Sequence, residues 1–113
     1  MYELLHHGTT VSEVKDLLNN FEGWMKRESV PTPMTIGMAS CGIVHEPLGV
    51  VLVISAWNYP LYTAIPLVAA AISAGNSVIL KPSEVAPHTS NILHKLFTKY
   101  LDPSKLYCYF RLF

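Results

Sequence analysis

Residues 46–84 read EPLGVVLVISAWNYPLYTAIPLVAAAISAGNSVILKPSE, and this stretch decides the fold. No Asp, Glu, Lys or Arg lies between Glu46 and Lys81. An apolar strand, a polar loop, an apolar helix, a second apolar strand and a charged loop follow one another, which is the order of a buried βαβ unit. The sequence therefore predicts a βαβ core over residues 50–81, with parallel strands and a right-handed crossover.

Three elements make up this predicted core. They are a strand buried on both faces, an Ala-rich helix and a second buried strand, over residues 50–55, 62–74 and 77–80. Gly75 and Asn76 give the signal that ends a helix. In α/β units the polar residues just after the strands face a ligand crevice. The order of elements thus predicts function at two places, Asn58 and the loop of residues 81–84.

Further elements flank the core within a single α/β domain spanning residues 1–113. An amphipathic helix, an early strand and a second amphipathic helix are predicted over residues 10–29, 36–46 and 88–101. Thr10 and Glu13 form the pattern of a capping box at the start of the first helix. Beyond Asp102 and Pro103, which stop the last helix, the tail predicts no further element.

The composition indicates that part of the surface of this chain is buried against other protein. Among 113 residues, 50% are hydrophobic and 14% are charged, whereas average proteins carry roughly 25% charged residues. This shortage of solvated surface predicts a piece of a larger body, or a chain that buries faces against a partner. Zero net charge gives no reason to expect nucleic acid, and the spacing of the five His residues predicts no metal site.

The uncharged run over residues 50–74 is long enough to cross a bilayer. However, Asn58, Pro60 and Pro66 interrupt it, and neither flank carries a basic cluster. We therefore do not expect membrane association from this segment, although a small membrane-associated protein stays an alternative.

The two cysteines, Cys41 and Cys108, give no disulfide framework, and free thiols are typical of intracellular chains. The first ten residues, MYELLHHGTT, lack the basic and apolar regions of a signal peptide. A cytoplasmic protein is therefore expected.

Four motifs in this chain match a known family. In chain order they are EPLGVV at 46–51, WNYP at 57–60, AGN at 74–76 and LKPSE at 80–84. Together they resemble the first part of the NAD(P)-binding domain of aldehyde dehydrogenases, and they are most similar to the class 3 or fatty-aldehyde branch. The resemblance covers about residues 10–106. It implies a partial Rossmann-like cofactor domain, in a family that oxidises an aldehyde to a carboxylate with NAD(P).

The resemblance also implies roles for residues after the two strands. Asn58 matches the Asn whose side-chain amide donates to the oxyanion formed when a cysteine thiolate attacks the aldehyde. Lys81 and Glu84 match residues that approach the adenosine ribose of the cofactor. A carboxylate there favours NAD over NADP, and the class 3 branch accepts both. Three residues would line the nicotinamide side of the cleft: Ser55, Ala56 and Trp57.

The residues alone are consistent with plainer interpretations. Asn58 would then only cap a turn before Pro60. Lys81 and Glu84 would form an exposed charged turn, and Trp57 would pack in the core.

The resemblance places the nucleophilic Cys and the general-base Glu of the family beyond Phe113, and neither Cys41 nor Cys108 is expected to replace them. The chain by itself is therefore predicted to be inactive. The implied partners are NAD(P), an aldehyde and a second subunit of a homodimer. The alternative is a non-catalytic fragment that docks on a full-length dehydrogenase subunit through its exposed apolar faces.

Overall fold

A computed structural model describes the backbone of residues 2–108 and the side chains of residues 7–108. The helices are α1, α2 and α3, over Tyr2–Trp24, Ile65–Ser73 and Pro87–Tyr100. The strands are β1 to β5, over Glu28–Val30, Cys41–Ile43, Val50–Ile54, Ser77–Lys81 and Leu106–Cys108. A single 3₁₀ turn, Met34–Ile36, lies between β1 and β2 in this part of the chain.

The predicted βαβ core is confirmed. Strands β3 and β4 are parallel neighbours joined through α2, in a register that runs from Val50 opposite Ser77 to Ile54 opposite Lys81. Strand β5 adds to the other edge of β4, also parallel, so the strand order is β3-β4-β5. The sequence of the tail predicted no element, because Leu106–Cys108 is too short to show the periodicity of a strand. It becomes a strand because the edge of β4 offers its backbone hydrogen-bond partners.

The prediction that the first core strand is buried on both faces is wrong. Val53 is 6% exposed, whereas its neighbour Leu52 is 59% exposed. Among the described elements, α2 contacts β3 and β4, and α3 contacts β5, while alternate residues of β3 lie open. The residues of this open sheet face are Val50, Leu52, Ile54 and Tyr107. The core lies on the helix-covered face, around Val53, Val68, Val78, Leu80 and Leu93.

The first helix differs from its prediction at both ends. It starts at Tyr2 rather than at residue 10, and Thr10 is a buried residue inside it, so the capping box is wrong. The helix ends at Trp24, and residues 28 and 29, the last two of the predicted helix, belong to strand β1, which pairs with β2 in antiparallel orientation. The competing hydrogen bonds come from residues far along the chain, which local periodicity does not show.

The other predicted elements differ from the prediction at their ends. The early strand over residues 36–46 is reduced to Cys41–Ile43, since a 3₁₀ turn occupies its first residue. The core helix begins at Ile65 rather than at residue 62, and the last helix lies one residue earlier than predicted. No helix among residues 2–108 combines the length and apolar character needed to cross a bilayer.

The AGN motif leads from α2 into β4, and its hydrogen bonds tie this connection to Gly49, the residue before β3. Gly75 has a φ of 82°, the left-handed conformation that ends helices. The buried Asn76 side chain accepts from the Gly49 N–H at 3.0 Å and donates to the Ala71 carbonyl at 3.2 Å. The Ser77 N–H donates to the Gly49 carbonyl at 2.8 Å. This motif is therefore structural, and it lies at the amino edge of the sheet, away from the predicted site.

Helix α1 packs on α2, and one polar contact fixes it there. The Tyr62 hydroxyl donates to Glu13 Oε1 at 2.7 Å. Both this hydrogen bond and the negative charge of Glu13 raise the pKa of Tyr62, so the phenol stays protonated at neutral pH. The half-buried apolar residues of α1 that accompany this contact are Val14, Leu17 and Phe21.

Candidate functional site

The two predicted functional segments lie side by side at one edge of the sheet. Residues 55–58 follow the carboxyl end of β3, and residues 81–84 start at the carboxyl end of β4. Because β3 and β4 are parallel neighbours, their carboxyl ends meet. The Ser55 N–H donates to the Lys81 carbonyl at 3.1 Å, which joins the two segments directly. We call residues 55–58 and 81–84 together the carboxyl-edge site.

Asn58 lies exposed in the first of these segments. The side-chain hydrogen bonds that hold this segment come from the Thr63 hydroxyl, to the Ala56 and Tyr59 carbonyls, and neither uses the Asn58 amide. Trp57 is 64% exposed and therefore does not pack in the core. The amide donors of Asn58 are thus available to a group that approaches this edge of the sheet.

The second segment carries an ion pair. Lys81 Nζ donates to Glu84 Oε2, and both side chains are partly open to solvent. The hydrogen bond from Lys81, a backbone hydrogen bond and the positive charge lower the pKa of Glu84. Glu84 is therefore ionised at neutral pH and only accepts hydrogen bonds, while the ammonium only donates them. Such a pair offers both kinds of partner to a vicinal diol.

Two buried serines hold this second segment in place. Ser83 Oγ accepts from the Val85 N–H at 3.2 Å. The Ser83 carbonyl accepts from Ser90 Oγ, on the first turn of α3, at 2.7 Å. Sequence reasoning assigned no role to Ser90. The sequence feature that could have indicated this role is a serine at the start of a helix, where short hydroxyl side chains often form hydrogen bonds to the backbone.

Ser55 places a buried polar atom without a partner at the same edge. The residue is 5% exposed, and its Oγ has no hydrogen-bond partner among the described residues. A buried hydroxyl in this state costs about 1–3 kcal/mol. A further polar group at this edge would therefore be stabilising, and in this respect the carboxyl-edge site fits a polar cofactor.

Neither cysteine has the surroundings of an activated nucleophile. Burial raises the pKa of the Cys108 thiol, and only the thiolate is nucleophilic. Cys108 packs against the core from β5. Cys41 lies in β2, in the two-stranded sheet with β1, and its N–H donates to Thr32 Oγ1 at 3.1 Å.

Two open grooves lie elsewhere, both against α1. One, of about 1050 Å³, is at the amino edge and is lined in part by Trp24, Pro47 and Asn76. The other, of about 540 Å³, lies between α1, α2 and the end of α3, and its lining includes Leu17, Val68 and Phe97. No residue of the carboxyl-edge site lines either of these two grooves.

The Lys81–Glu84 pair gives a direct titration test. Substituting Lys81→Met removes the side-chain hydrogen bond and the positive charge that lower the Glu84 pKa, so that pKa should rise toward the ordinary value for a glutamate. In the wild type, the stabilisation from this pair is present above the unfolded pKa and is lost as pH falls through the folded pKa. NMR titration of the Glu84 carboxyl measures the change.

Lys99→Met, which removes a lysine lying over the Tyr100 ring, is the control and should leave the Glu84 titration unchanged. Equal Glu84 titration in the wild type and in Lys81→Met would contradict the ion pair.

A parallel α/β unit with polar loops at the carboxyl ends of adjacent strands is typical of the class of Rossmann-like α/β domains. The sequence matches the model of the Aldehyde dehydrogenase family over residues 4–109. The chain therefore belongs to the aldehyde dehydrogenase family.

Class 3 relatives are similar over most of this chain. The chain is 55% identical over 93 residues to Aldehyde dehydrogenase family 3 member H1 of Arabidopsis thaliana, covering 82% of this chain and 19% of that protein. It is 45% identical over 93 residues to family 3 member B1 of Homo sapiens, covering 81% of this chain and 20% of that protein. The chain thus spans about a fifth of the length of the curated relatives it matches. These matches confirm the class 3 resemblance of the motifs.

Solved structures show the same fold. The substrate-bound state of AldH from Staphylococcus aureus superposes with a TM-score of 0.86 at 30% identity, covering 90% of this chain and 22% of that chain. A succinic semialdehyde dehydrogenase from Streptococcus pyogenes, solved with NADP+ as its cofactor, gives a TM-score of 0.72 at 16% identity, covering 86% and 21%. The second likeness shows the fold alone. Together they confirm a Rossmann-like α/β domain.

Proposed function

We propose that this chain supplies the first part of the cofactor-binding domain of an aldehyde dehydrogenase, which oxidises an aldehyde to a carboxylate with NAD(P). The observation that carries the proposal is the joining of the Asn58 segment and the Lys81–Glu84 segment at one edge of the sheet. Family membership over residues 4–109 supplies the reaction class. The free thiols of Cys41 and Cys108 support a cytoplasmic location.

In this proposal Lys81 and Glu84 hold the adenosine ribose of the cofactor. Bound NAD(P)+ would supply the acceptor for the hydride that leaves the substrate carbon. Lys81 donates to ribose oxygens and Glu84 accepts from ribose hydroxyls. Because Lys81 lowers the pKa of Glu84, its carboxylate stays charged at neutral pH and repels a 2′-phosphate. This favours NAD over NADP.

Asn58 serves the substrate side of the proposed site. When a nucleophile attacks the aldehyde carbon, negative charge develops on the aldehyde oxygen, and preorganised donors lower the barrier. The exposed amide of Asn58 donates without changing charge. Ser55, Ala56 and Trp57 line the neighbouring nicotinamide side. The chain by itself is proposed to be inactive, since the half-buried Cys108 thiol is protonated at neutral pH and Cys41 lies in the separate β1-β2 sheet.

A second candidate function is docking on a full-length dehydrogenase subunit, without catalysis. The open sheet face favours it, since Val50, Leu52 and Ile54 are each more than half exposed and lie side by side on β3. A contiguous apolar surface of this kind marks an interaction site. Co-purification of the chain with a full-length subunit, abolished by Leu52→Asp, would support this candidate.

Titration with NAD+ tests the cofactor proposal in the chain itself. We expect binding weaker than low micromolar, because in this proposal Lys81 and Glu84 contact only the adenosine end. Amide NMR shifts should concentrate in residues 55–58 and 81–84. Lys81→Met should weaken the shifts, whereas Lys99→Met should leave them unchanged. Shifts centred on Asn76 at the amino edge would show that the site is wrongly placed. Low-micromolar affinity would show that more of the cofactor site is present than the adenosine end.

A further inference from the structure

Tyr59 has a backbone conformation that its sequence neighbours do not explain. Its φ is 51°, and it is the only non-glycine residue with positive φ in the described part of the chain. The left-handed region is unfavourable for a residue with a Cβ atom. Because Tyr59 precedes Pro60, the right-handed helical region is also disfavoured, and an extended backbone is the default. Some contact must therefore select the left-handed conformation.

Thr63, at the turn before α2, makes such contacts with Tyr59. The Tyr59 carbonyl accepts from the Thr63 N–H at 2.9 Å and from Thr63 Oγ1 at 3.2 Å. The same hydroxyl lies 3.5 Å from the Ala56 carbonyl, at the outer limit of a hydrogen bond. One half-buried side chain thus reaches both ends of the segment that carries Trp57 and Asn58.

We propose that Thr63 is a positioning residue for Asn58. Its hydroxyl holds the Tyr59 carbonyl against the start of α2, which fixes the left-handed turn and with it the direction of the preceding Asn58 residue. The same hydroxyl also lies close to the Ala56 carbonyl, which restrains the other end of the segment. The value of this restraint for oxyanion stabilisation rests on the proposed function, whereas the restraint itself does not.

NMR on the 113-residue chain tests the restraint without requiring activity. Thr63→Val keeps the shape of the side chain and removes the hydroxyl, and Thr63→Ser keeps the hydroxyl. In the wild type and in Thr63→Ser, backbone order parameters at Asn58 and Tyr59 should be near the rigid value of about 0.85. In Thr63→Val they should fall below about 0.6, the range of flexible backbone, and coupling constants should show Tyr59 entering the extended region. The melting temperature measured on the same samples reports the global fold.

Ser73→Ala is the matched control, because Ser73 Oγ makes the same kind of bond, to the Ala70 carbonyl at 2.9 Å, at the far end of α2. It should leave Asn58 and Tyr59 rigid.

A folded Thr63→Val chain with an unchanged, rigid segment would overturn the proposal. If Thr63→Val does not fold, the wild type and Thr63→Ser decide. An extended or flexible Tyr59 in the wild type overturns the proposal, and a left-handed, rigid Tyr59 in both the wild type and Thr63→Ser supports it. A failure of NAD+ binding would leave all these outcomes unchanged, so the two proposals fail separately.

Discussion

Asn58→Ala is expected to lower kcat and kcat/KM together, by roughly a hundred- to a thousandfold, or about 2.7–4 kcal/mol of transition-state stabilisation. The reason is that the oxyanion exists only after attack on the aldehyde, so the lost donor does not weaken the ground state. The assay is a chimera in which residues 10–106 of this chain replace the matching segment of the Arabidopsis family 3 member H1. The 113-residue chain alone should show no turnover and serves as the blank.

Asn58→Asp should be worse than Asn58→Ala, because a carboxylate repels the developing negative charge. Cofactor affinity should change little in either variant, since Lys81 and Glu84 are untouched. Single-turnover rate and melting temperature are measured on the same preparation. A destabilised Asn58→Ala chimera with an unchanged chemical step would remove Asn58 from the mechanism and return it to a structural role in the turn.

Leu80→Ala should give the largest loss of stability among substitutions in the sheet. Leu80 is fully buried at the centre of the core, on the middle strand β4. Removing its side chain leaves a cavity and forfeits burial, at a cost of about 2–5 kcal/mol. A domain of this size has only about 5–15 kcal/mol in total. Chemical denaturation of the 113-residue chain measures the change in the free energy of unfolding.

Leu52→Ala, on the neighbouring strand β3, is the matched control. Its side chain is 59% exposed on the open sheet face, so the cost should be within about 0.5 kcal/mol, as for surface substitutions. Similar costs at Leu80 and Leu52 would mean that β3 is buried on both faces in solution, for instance by a second copy of the chain. A concentration-dependent midpoint would identify that association.

The sequence by itself determined the core of this domain and the place of its site. The uncharged run before Lys81, its interruption at residues 57–60 and the glycine at 75 give the order strand, helix, strand within one local stretch. A parallel βαβ unit then follows from chirality and chain connectivity, and parallel strands bring both carboxyl ends to one edge. The sequence predicted function at two places, Asn58 and the loop of residues 81–84, and the structure joins the two segments at this edge.

Only the tertiary structure decided the features that depend on partners distant in sequence. Residues 28 and 29 leave the predicted first helix because Cys41–Ile43 offers them a strand partner. Leu106–Cys108 becomes a strand because β4 has an open edge. Burial of β3 is one-sided because α2 and α3 lie on the same face, and an apolar run has no alternation from which to predict which residues are covered. The left-handed Tyr59 has a local partner, Thr63, but a positive φ before Pro60 departs from the extended backbone that local preference predicts. Local periodicity reports which residues prefer burial, whereas the neighbours that bury or bond them are set by packing.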